Sequence, residues 1–283
     1  MMLSGNRIIP DEEVHISPLD RGYYFGDGIY EVFCIYDGAL FEKEAHFQRL
    51  LRSASEVRIA LPYPTERLEE LLGELIAANG MDTGLVYVQI TRCAAPRSHP
   101  FPLNAEAVVT GWCTEYQRPL DQLENGITAV LLEDIRWHRC DIKTLNLLPN
   151  VLLKQEAMDR GANDAIFHRG DTVTESSSSN VMMVKDGVLW THPADNHILH
   201  GITRAVTLKL AGQLQIPVKE QFYTVDDLRA ADEIFLTSTG AELTPVVKLD
   251  GQPVGAGVPG PIIRRLQQAY VARLPGSSSR NTI

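Results

Sequence analysis

The sequence predicts an α+β chain of two domains, and three observations carry the prediction. The chain has 283 residues, at or beyond the size at which one hydrophobic core stops growing. Strand-type and helix-type patterns mix throughout rather than alternating regularly. A polar stretch over 114–126, containing Pro119 and closing on Asn125-Gly126, breaks the pattern. The boundary lies there, with domains expected over 1–117 and 122–283.

In the first domain, Ile29–Tyr36 is rich in β-formers, and Asp37-Gly38 turns it into a partner at Ala39–Phe41. Residues 43–58 switch to helical spacing. The spacing is clearer over 65–79, where Leu68, Leu71, Leu72, Leu75 and Ile76 share one face. Thr65 is expected to cap that helix and Asn79-Gly80 to end it. Strands follow at Leu85–Thr91 and Ala107–Cys113. Beyond the boundary the pattern gives strand Ile127–Leu132, helix Pro149–Arg160 and strand Asp164–His168. A hairpin joins Val181–Val184 to Val188–Trp190 through Lys185-Asp186-Gly187. Helix Thr203–Leu214, strand Glu233–Thr237, hairpin Val246–Val254 and helix Pro261–Leu274 complete it. The tail from Gly276 to Ile283 reads as disordered.

Composition narrows the function. Hydrophobic residues at 44 % and charged residues at 22 % are ordinary for a soluble globular protein. No apolar run approaches the roughly 20 residues that span a bilayer, and Met1–Pro10 lacks the marks of a signal peptide. Cys34, Cys93, Cys113 and Cys140 are scattered, which suits reduced thiols in a cytoplasm. A net charge of -10 argues against a nucleic-acid binder, yet a few local cations can still hold a small anion.

Several motifs mislead. Gly255-Ala-Gly257-Val-Pro-Gly260 matches the dinucleotide fingerprint in letters, but the chain nearly ends there and Pro259 interrupts the turn. It reads as a hairpin exit and helix entry. Asp195, His197 and His200 lack paired-ligand spacing and sit among Pro193, Asn196 and Gly201, so an exposed turn is expected and no metal. Arg169-Gly170-Asp171 reads as a tight turn between strands. Ser176–Ser179 lacks the glycine-flanked elbow of a serine hydrolase.

Three segments carry chemistry. Asp134–Leu148 holds one lysine, Lys143, between apolar residues, with Arg136 and Arg139 close in sequence. A free lysine titrates near about 10.4; burial and nearby cations lower that and release an amine able to attack an aldehyde. A surface lysine at a strand end is the plain alternative. In Val173–Val181, Glu175 could accept a proton from a pyridinium nitrogen, or the segment could be a solvated serine-rich loop. Leu199–Arg204 opens a helix whose bare N–H groups suit phosphate, or Thr203 is an ordinary N-cap.

With these three segments together, the chain resembles the fold-type IV pyridoxal-phosphate enzymes, which include branched-chain aminotransferases, D-amino-acid aminotransferases and aminodeoxychorismate lyase. The shared pattern runs from Glu175 through Asn180, Leu189-x-Thr191 and Leu199-x-Gly201-Ile202-x-Arg204. Met182 departs from it where the family usually has an aromatic residue, a matter of packing. The resemblance covers essentially the whole chain. It implies a smaller N-terminal α/β domain and a larger C-terminal β-rich domain, with pyridoxal 5'-phosphate between them. It implies that Lys143 forms the internal aldimine and moves the proton, and that Glu175 holds the pyridine nitrogen. Arg49, Ile202, Thr203 and Thr239 would hold the phosphate, Arg136 would approach the ring hydroxyl, and Leu199 would support the ring face opposite the lysine.

The loop Thr91–Phe101 points to one branch. Arg97 and His99 alternate, so an extended chain aims both the same way, as a carboxylate clamp or simply a basic loop tip. With Asp20–Val32, this loop resembles the D-amino-acid aminotransferases in particular. There Tyr30 joins the clamp, Val32 lines the substrate site, and the loop serves the partner subunit, which implies a homodimer. The expected reaction is D-alanine plus 2-oxoglutarate. A branched-chain L-aminotransferase, the lyase and a non-catalytic cofactor carrier are the competing readings.

Overall fold

The computed structural model describes residues 1–276; the rest of the expected tail, 277–283, lies outside the described residues. The chain divides into two compact units, Met1–Gln117 with Ile142–Asn146, and Arg118–Asp141 with Leu147–Ile283.

The first unit runs β1 (Met2–Ser4), β2 (Arg7–Ile9), α1 (Arg21–Phe25), β3 (Gly28–Tyr36), β4 (Ala39–Leu40), α2 (Lys43–Glu56), α3 (Thr65–Ala78), β5 (Thr83–Thr91) and β6 (Val108–Glu115). Six antiparallel strands form one sheet in the order β2-β1-β6-β5-β3-β4. Its core joins Ile29, Phe33 and Ile35 of β3 to Val86, Val88 and Ile90 of β5 and to Leu50, Leu68, Leu71, Leu72 and Leu75 of the helices. Strand alternation therefore turns the odd-numbered residues of β3 inward and leaves Tyr30 and Val32 half-buried on the opposite face. Both helices lie where the periodicity puts them. Thr65 is not the cap: Pro64, with φ -59° and ψ 155°, makes the entry and Thr65 is the first helical residue.

The short segment Ile142–Asn146 runs along β3. Tyr30 N–H donates to the Lys143 carbonyl at 3.1 Å, Leu145 N–H donates to the Gly28 carbonyl at 3.1 Å, and Ile29 bridges Thr144. Position 28 has no room for a side chain, because a Cβ there would meet Leu145 Cδ1 at 2.7 Å and the Ile90 carbonyl at 2.9 Å.

The second unit runs α4 (Leu120–Asn125), β7 (Ile127–Glu133), α5 (Leu148–Asp159), β8 (Asp164–Arg169), β9 (Thr172–Ser176), β10 (Asn180–Lys185), β11 (Val188–Thr191), α6 (Ile202–Gln213), β12 (Val218–Glu220), α7 (Val225–Arg229), β13 (Glu233–Ser238), β14 (Glu242–Leu249), β15 (Gln252–Pro253) and α8 (Pro261–Val271). Its strands follow the order β12-β11-β10-β13-β14-β7-β8-β9, and β9 returns to pair with β10. That last pairing, Glu175 opposite Asn180, closes six strands into a barrel. Val181, Met183, Ile234, Leu236, Val246 and Ile166 share one core cluster. Leu153 and Ala157 of α5 share another with Val130, Leu132, Ala165 and Phe167.

Several elements escape periodicity: β1, β2, α1, α4 and β9. They are three to six residues long, too short for either period to repeat. The most consequential is β9, which makes Glu175 a strand residue at the barrel seam instead of part of a polar turn.

The glycine-rich decoy has a structural use. Gly255 has φ +52° and would drive a Cβ to 2.2 Å from the Asp232 carbonyl; at Gly260 a Cβ would meet Glu233 Cδ at 2.2 Å. Glu233 sits there because its two oxygens accept the N–H groups of Ile262 and Ile263 at 2.9 and 2.8 Å, capping α8 from another strand. Glu233→Ala is expected to lower unfolding free energy by about 1–3 kcal/mol, measured by urea melts, with Glu233→Gln recovering part of the loss.

Candidate functional site

The first unit contributes an amine, a buried ion cluster and a basic loop. Lys143 is partly exposed, its Nζ lies 4.1 Å from the centre of the Tyr30 ring, and its N–H lies 3.3 Å from Ser53 Oγ of α2. Tyr30 stacks on Tyr87, and Tyr87 on Trp112, along the half-buried face of the sheet that also carries Val32.

On the other face, Glu31 is fully buried and takes three charge-assisted bonds. Arg49 Nε and Nη2 donate to its two oxygens at 2.7 and 2.8 Å, and His46 Nδ1 lies 2.8 Å from Oε2. Burial pushes the Glu31 carboxyl upward, but Arg49 and His46 outweigh it and hold it at about 2. Burial pushes His46 below its ordinary range. Arg49 is thus fixed in direction by a carboxylate placed one residue from Tyr30.

The basic loop is held from below by a second cluster. Asp27 binds Arg21 at 2.7 Å and Arg92 at 2.9 Å, and both cations keep it ionised below its ordinary range against burial. Arg21 then donates to the main-chain carbonyls of Ser98 and His99 at 2.5 and 3.3 Å, and Tyr24 hydroxyl donates to the Ala95 carbonyl at 2.7 Å. Asp20 caps α1 and also accepts from Thr91, with Gly22 so close that a Cβ would meet Thr91 Cγ2 at 2.3 Å. Arg97 and His99 are exposed, and each approaches the Phe25 ring, with centroid distances of 5.1 and 5.4 Å. The Asp20–Tyr30 stretch is therefore the support of the Arg97–His99 loop.

The second unit contributes a buried carboxylate and a bare helix start. Arg136 donates to Glu175 Oε1 in a short contact, and also to Asp134 at 2.7 Å and to the His197 carbonyl at 3.2 Å. Glu175 Oε2 accepts from Asn180 Nδ2 and from Leu199 N–H, both at 3.0 Å. Burial pushes Glu175 upward while Arg136 pulls it down, and burial wins. Asp134 goes the other way: Arg136 and Arg169 hold it far below its ordinary range against burial. Burial also pushes the Cys140 thiol up to about 12, so this neighbour stays neutral.

Gly201, not Thr203, is the N-cap of α6, and no side chain caps it. Ile202 and Thr203 are the first two helical residues, with N–H groups that have no intrahelical partner. A Cβ at Gly201 would meet Asn180 Oδ1 at 2.0 Å. Opposite Asn180 across the sheet, the buried Thr237 hydroxyl has no hydrogen-bond partner. Thr239 follows one residue beyond β13.

Sequence reasoning did not single out Glu31, His46 and Asp134. The signal for the first was available in the alternation of β3, since a carboxylate at an inward-facing position needs buried cations. Arg136 and Arg139, expected as cations beside the lysine, each pair with carboxylates, Arg139 with Asp141 at 3.0 Å.

Residues 28–249 match the model of the amino-transferase class IV family. The chain belongs to that family. It is 51 % identical over 271 residues to a D-alanine aminotransferase of Staphylococcus aureus, covering 95 % of this chain and 96 % of the relative. Among solved structures, the branched-chain amino acid aminotransferase of Escherichia coli superposes with a TM-score of 0.93 at 28 % identity, covering 98 % of this chain and 95 % of the other. A T.th. branched-chain amino acid aminotransferase, complexed with N-(5'-phosphopyridoxyl)-L-glutamate, superposes with a TM-score of 0.87 at 28 % identity, covering 98 % and 96 %. The expectations of a fold-type IV chain, of an aminotransferase and of kinship with the D-specific branch are borne out. Among the described residues no helix is long and apolar enough to cross a membrane.

The depressed carboxyl of Glu31 sets a pH dependence. Its ionised form stabilises the fold fully above its unfolded value of 4.5, and that contribution is lost as pH falls toward about 2. Glu31→Gln is expected to cost about 3–5 kcal/mol at neutral pH, because it leaves Arg49 buried without its counter-charge. Denaturant melts across the acid range should show a flatter stability curve between 4.5 and about 2 than in the wild type.

Proposed function

We propose that this chain transaminates D-amino acids such as D-alanine with 2-oxoglutarate, giving a 2-oxo acid and D-glutamate, with pyridoxal 5'-phosphate carried on Lys143. The observation that carries the reading is the 51 % identity with a D-alanine aminotransferase over 95 % of the chain, against 28 % with the branched-chain enzymes.

The donor set fits the cofactor. An uncapped helix start, a glycine that leaves no side chain in the way and an unpartnered buried hydroxyl at Thr237 are what a phosphate needs. A buried carboxylate at Glu175 suits a ring N–H, and a lysine amine suits an aldehyde. When bound, pyridoxal phosphate supplies an electrophilic carbonyl and an electron sink.

The chain's own residues do the rest. Lys143 Nζ would hold the cofactor, then take and return the proton at the substrate α-carbon. Glu175 would keep the ring nitrogen protonated. Arg136, bound to Glu175 and Asp134, fixes the direction of that carboxylate and would also approach the ring hydroxyl. The N–H groups of Ile202 and Thr203, the Thr239 hydroxyl and Arg49 would bind the phosphate, and Leu199 would support the ring face. Arg97, His99 and Tyr30 hold the substrate carboxylate, and Val32 borders the side chain. The side on which that carboxylate is held fixes the enantiomer, because the proton moves on one face only. Arg97 and His99 are exposed on the single chain, which suits groups that complete a second subunit's site. We therefore read the enzyme as a homodimer with shared sites. Four free cysteines suit the reducing cytoplasm.

Purified protein is expected to be yellow, and Lys143→Ala to lose both the visible absorbance and turnover. D-alanine should be used far better than L-leucine or L-valine with 2-oxoglutarate; the reverse preference would move the chain to the branched-chain branch. Arg97→Ala should lower kcat/KM roughly ten- to a hundredfold for every amino acid, since all present the same carboxylate. Hybrid dimers of Lys143→Ala and Arg97→Ala subunits should be far more active than either parent, because one of the two sites is whole. Verified hybrids no more active than the Arg97→Ala parent would refute the shared site.

A further inference from the structure

The turn between β11 and α6 gathers three residues that the reaction does not use. His192 is 1 % exposed at the end of β11, and Asp195 and His197 follow in the turn. One donor atom from each lies within 4.8 Å of the other two. Sequence spacing discounted this region because it offers no helical or paired-ligand repeat, but the turn folds back. Asp195 N–H donates to the Pro193 carbonyl at 2.8 Å, and His197 N–H donates to Asp195 Oδ1 at 2.8 Å.

The proton positions on the two imidazoles follow from their neighbours. His192 Nδ1 lies 2.8 Å from the Pro193 carbonyl and 3.7 Å from Asp195 Oδ1. Both oxygens can only accept, so Nδ1 carries the proton and Nε2 carries the lone pair. That Nε2 is buried and has no hydrogen-bond partner. An imidazole that donates one ring N–H to a carbonyl and keeps the other nitrogen bare is the usual state of a metal-bound histidine.

His197 leads to the same place by another route. Its Nε2 faces His138 Nδ1 at 3.5 Å, and His138 Nδ1 is 2.8 Å from Arg169 Nη1. A guanidinium only donates, so the single lone pair of His138 Nδ1 is taken by Arg169. His197 Nδ1 lies 3.3 Å from Asp195 Oδ2, so a proton joins the two, or a cation once that proton is released. The distance also equals the edge of a tetrahedron whose metal–ligand bonds are about 2.0–2.1 Å long.

We propose that His192, Asp195 and His197 form a binding site for one divalent transition-metal ion of the zinc class. Two imidazoles and a carboxylate are the ligand types such ions prefer over magnesium or calcium. The ion would pin the turn at His197, whose carbonyl accepts from Arg136, two residues before the Leu199 N–H that donates to Glu175. Its effect is to stiffen the support of Glu175, and it takes no part in the reaction.

The test titrates Co²⁺ into untagged holoenzyme freed of metals by a chelator. Visible d–d bands should rise to one ion per chain at affinity on the order of micromolar, and Zn²⁺ should abolish them. His197→Ala and Asp195→Asn should each weaken binding about a hundredfold, while the surface control His168→Gln binds like the wild type. X-ray absorption on the Zn²⁺ form of the wild type should show two imidazole ligands, which keeps the test valid even where a variant folds poorly. Absent saturable binding, equal binding by all variants or bands typical of thiolate ligation would overturn the site. The first of these would mean that a proton alone joins His197 to Asp195.

Discussion

A carboxylate buried where the barrel closes constrains the whole second unit. Glu175 lies opposite Asn180 in the single pairing of β9 with β10, away from water, where a lone ionised carboxylate is untenable. Both oxygens are therefore supplied with donors: Arg136 on one, Asn180 and Leu199 on the other. Each donor has its own anchor. Arg136 is held by Asp134, Asp134 also binds Arg169 at 3.0 Å and Thr174 at 3.0 Å, and Asn180 donates again to the Leu199 carbonyl at 2.8 Å. Removing any one of these leaves another buried charge or donor unsatisfied, so the network behaves as a unit.

The first unit solves a similar problem with strand alternation. Along β3, Tyr30 and Val32 face one side while Glu31 faces the other, so one strand presents a half-buried face and, one residue away, the carboxylate that orients Arg49. The pairing of Ile142–Asn146 with β3 sets Lys143 beside Tyr30 by main-chain bonds, with its Nζ 4.1 Å from the centre of the Tyr30 ring. A one-residue slip of β3 would exchange these two faces. Gly28, packed against Leu145 and the Ile90 carbonyl, guards that register.

Long elements and local chemistry were legible in the sequence. The leucine face of α3, the strands β3, β5, β7 and β13, and the helices α5 and α6 follow from periodicity because they span several repeats. Lys143, Glu175 and the helix opening within Leu199–Arg204 stood out by residue type and spacing, although the helix begins at Ile202 and not at Thr203. What stayed hidden depends on distant pairing. The tight turn at Arg169–Asp171 points to a strand beyond it, paired with the adjacent β8, but no local rule reveals that Thr172–Ser176 also closes onto β10 at the seam. Nor does spacing reveal that Arg136 serves Glu175, 39 residues away, or that His46 and Arg49 converge on Glu31. The family resemblance supplied the roles, and the geometry supplies the supports.

Those supports explain why the diagnostic motif is long. Arg97 and His99 are two exposed residues on a loop, and a loop tip alone cannot hold a carboxylate in a fixed direction. Arg21 ties the main chain of the loop at Ser98 and His99, Asp27 ties Arg21 to Arg92, and Arg92 reaches the carbonyls of Val57 and Arg58 at 2.7 and 2.8 Å and lies 3.6 Å from the centre of the Phe101 ring. The loop is thereby clamped at its middle and at its far end by buried charges. On the proposed function Asp20, Arg21, Gly22 and Asp27 would touch no substrate, and the enantiomer choice would still depend on them. A carboxylate clamp distinguishes mirror images only while its own position varies less than the separation between the two possible sites.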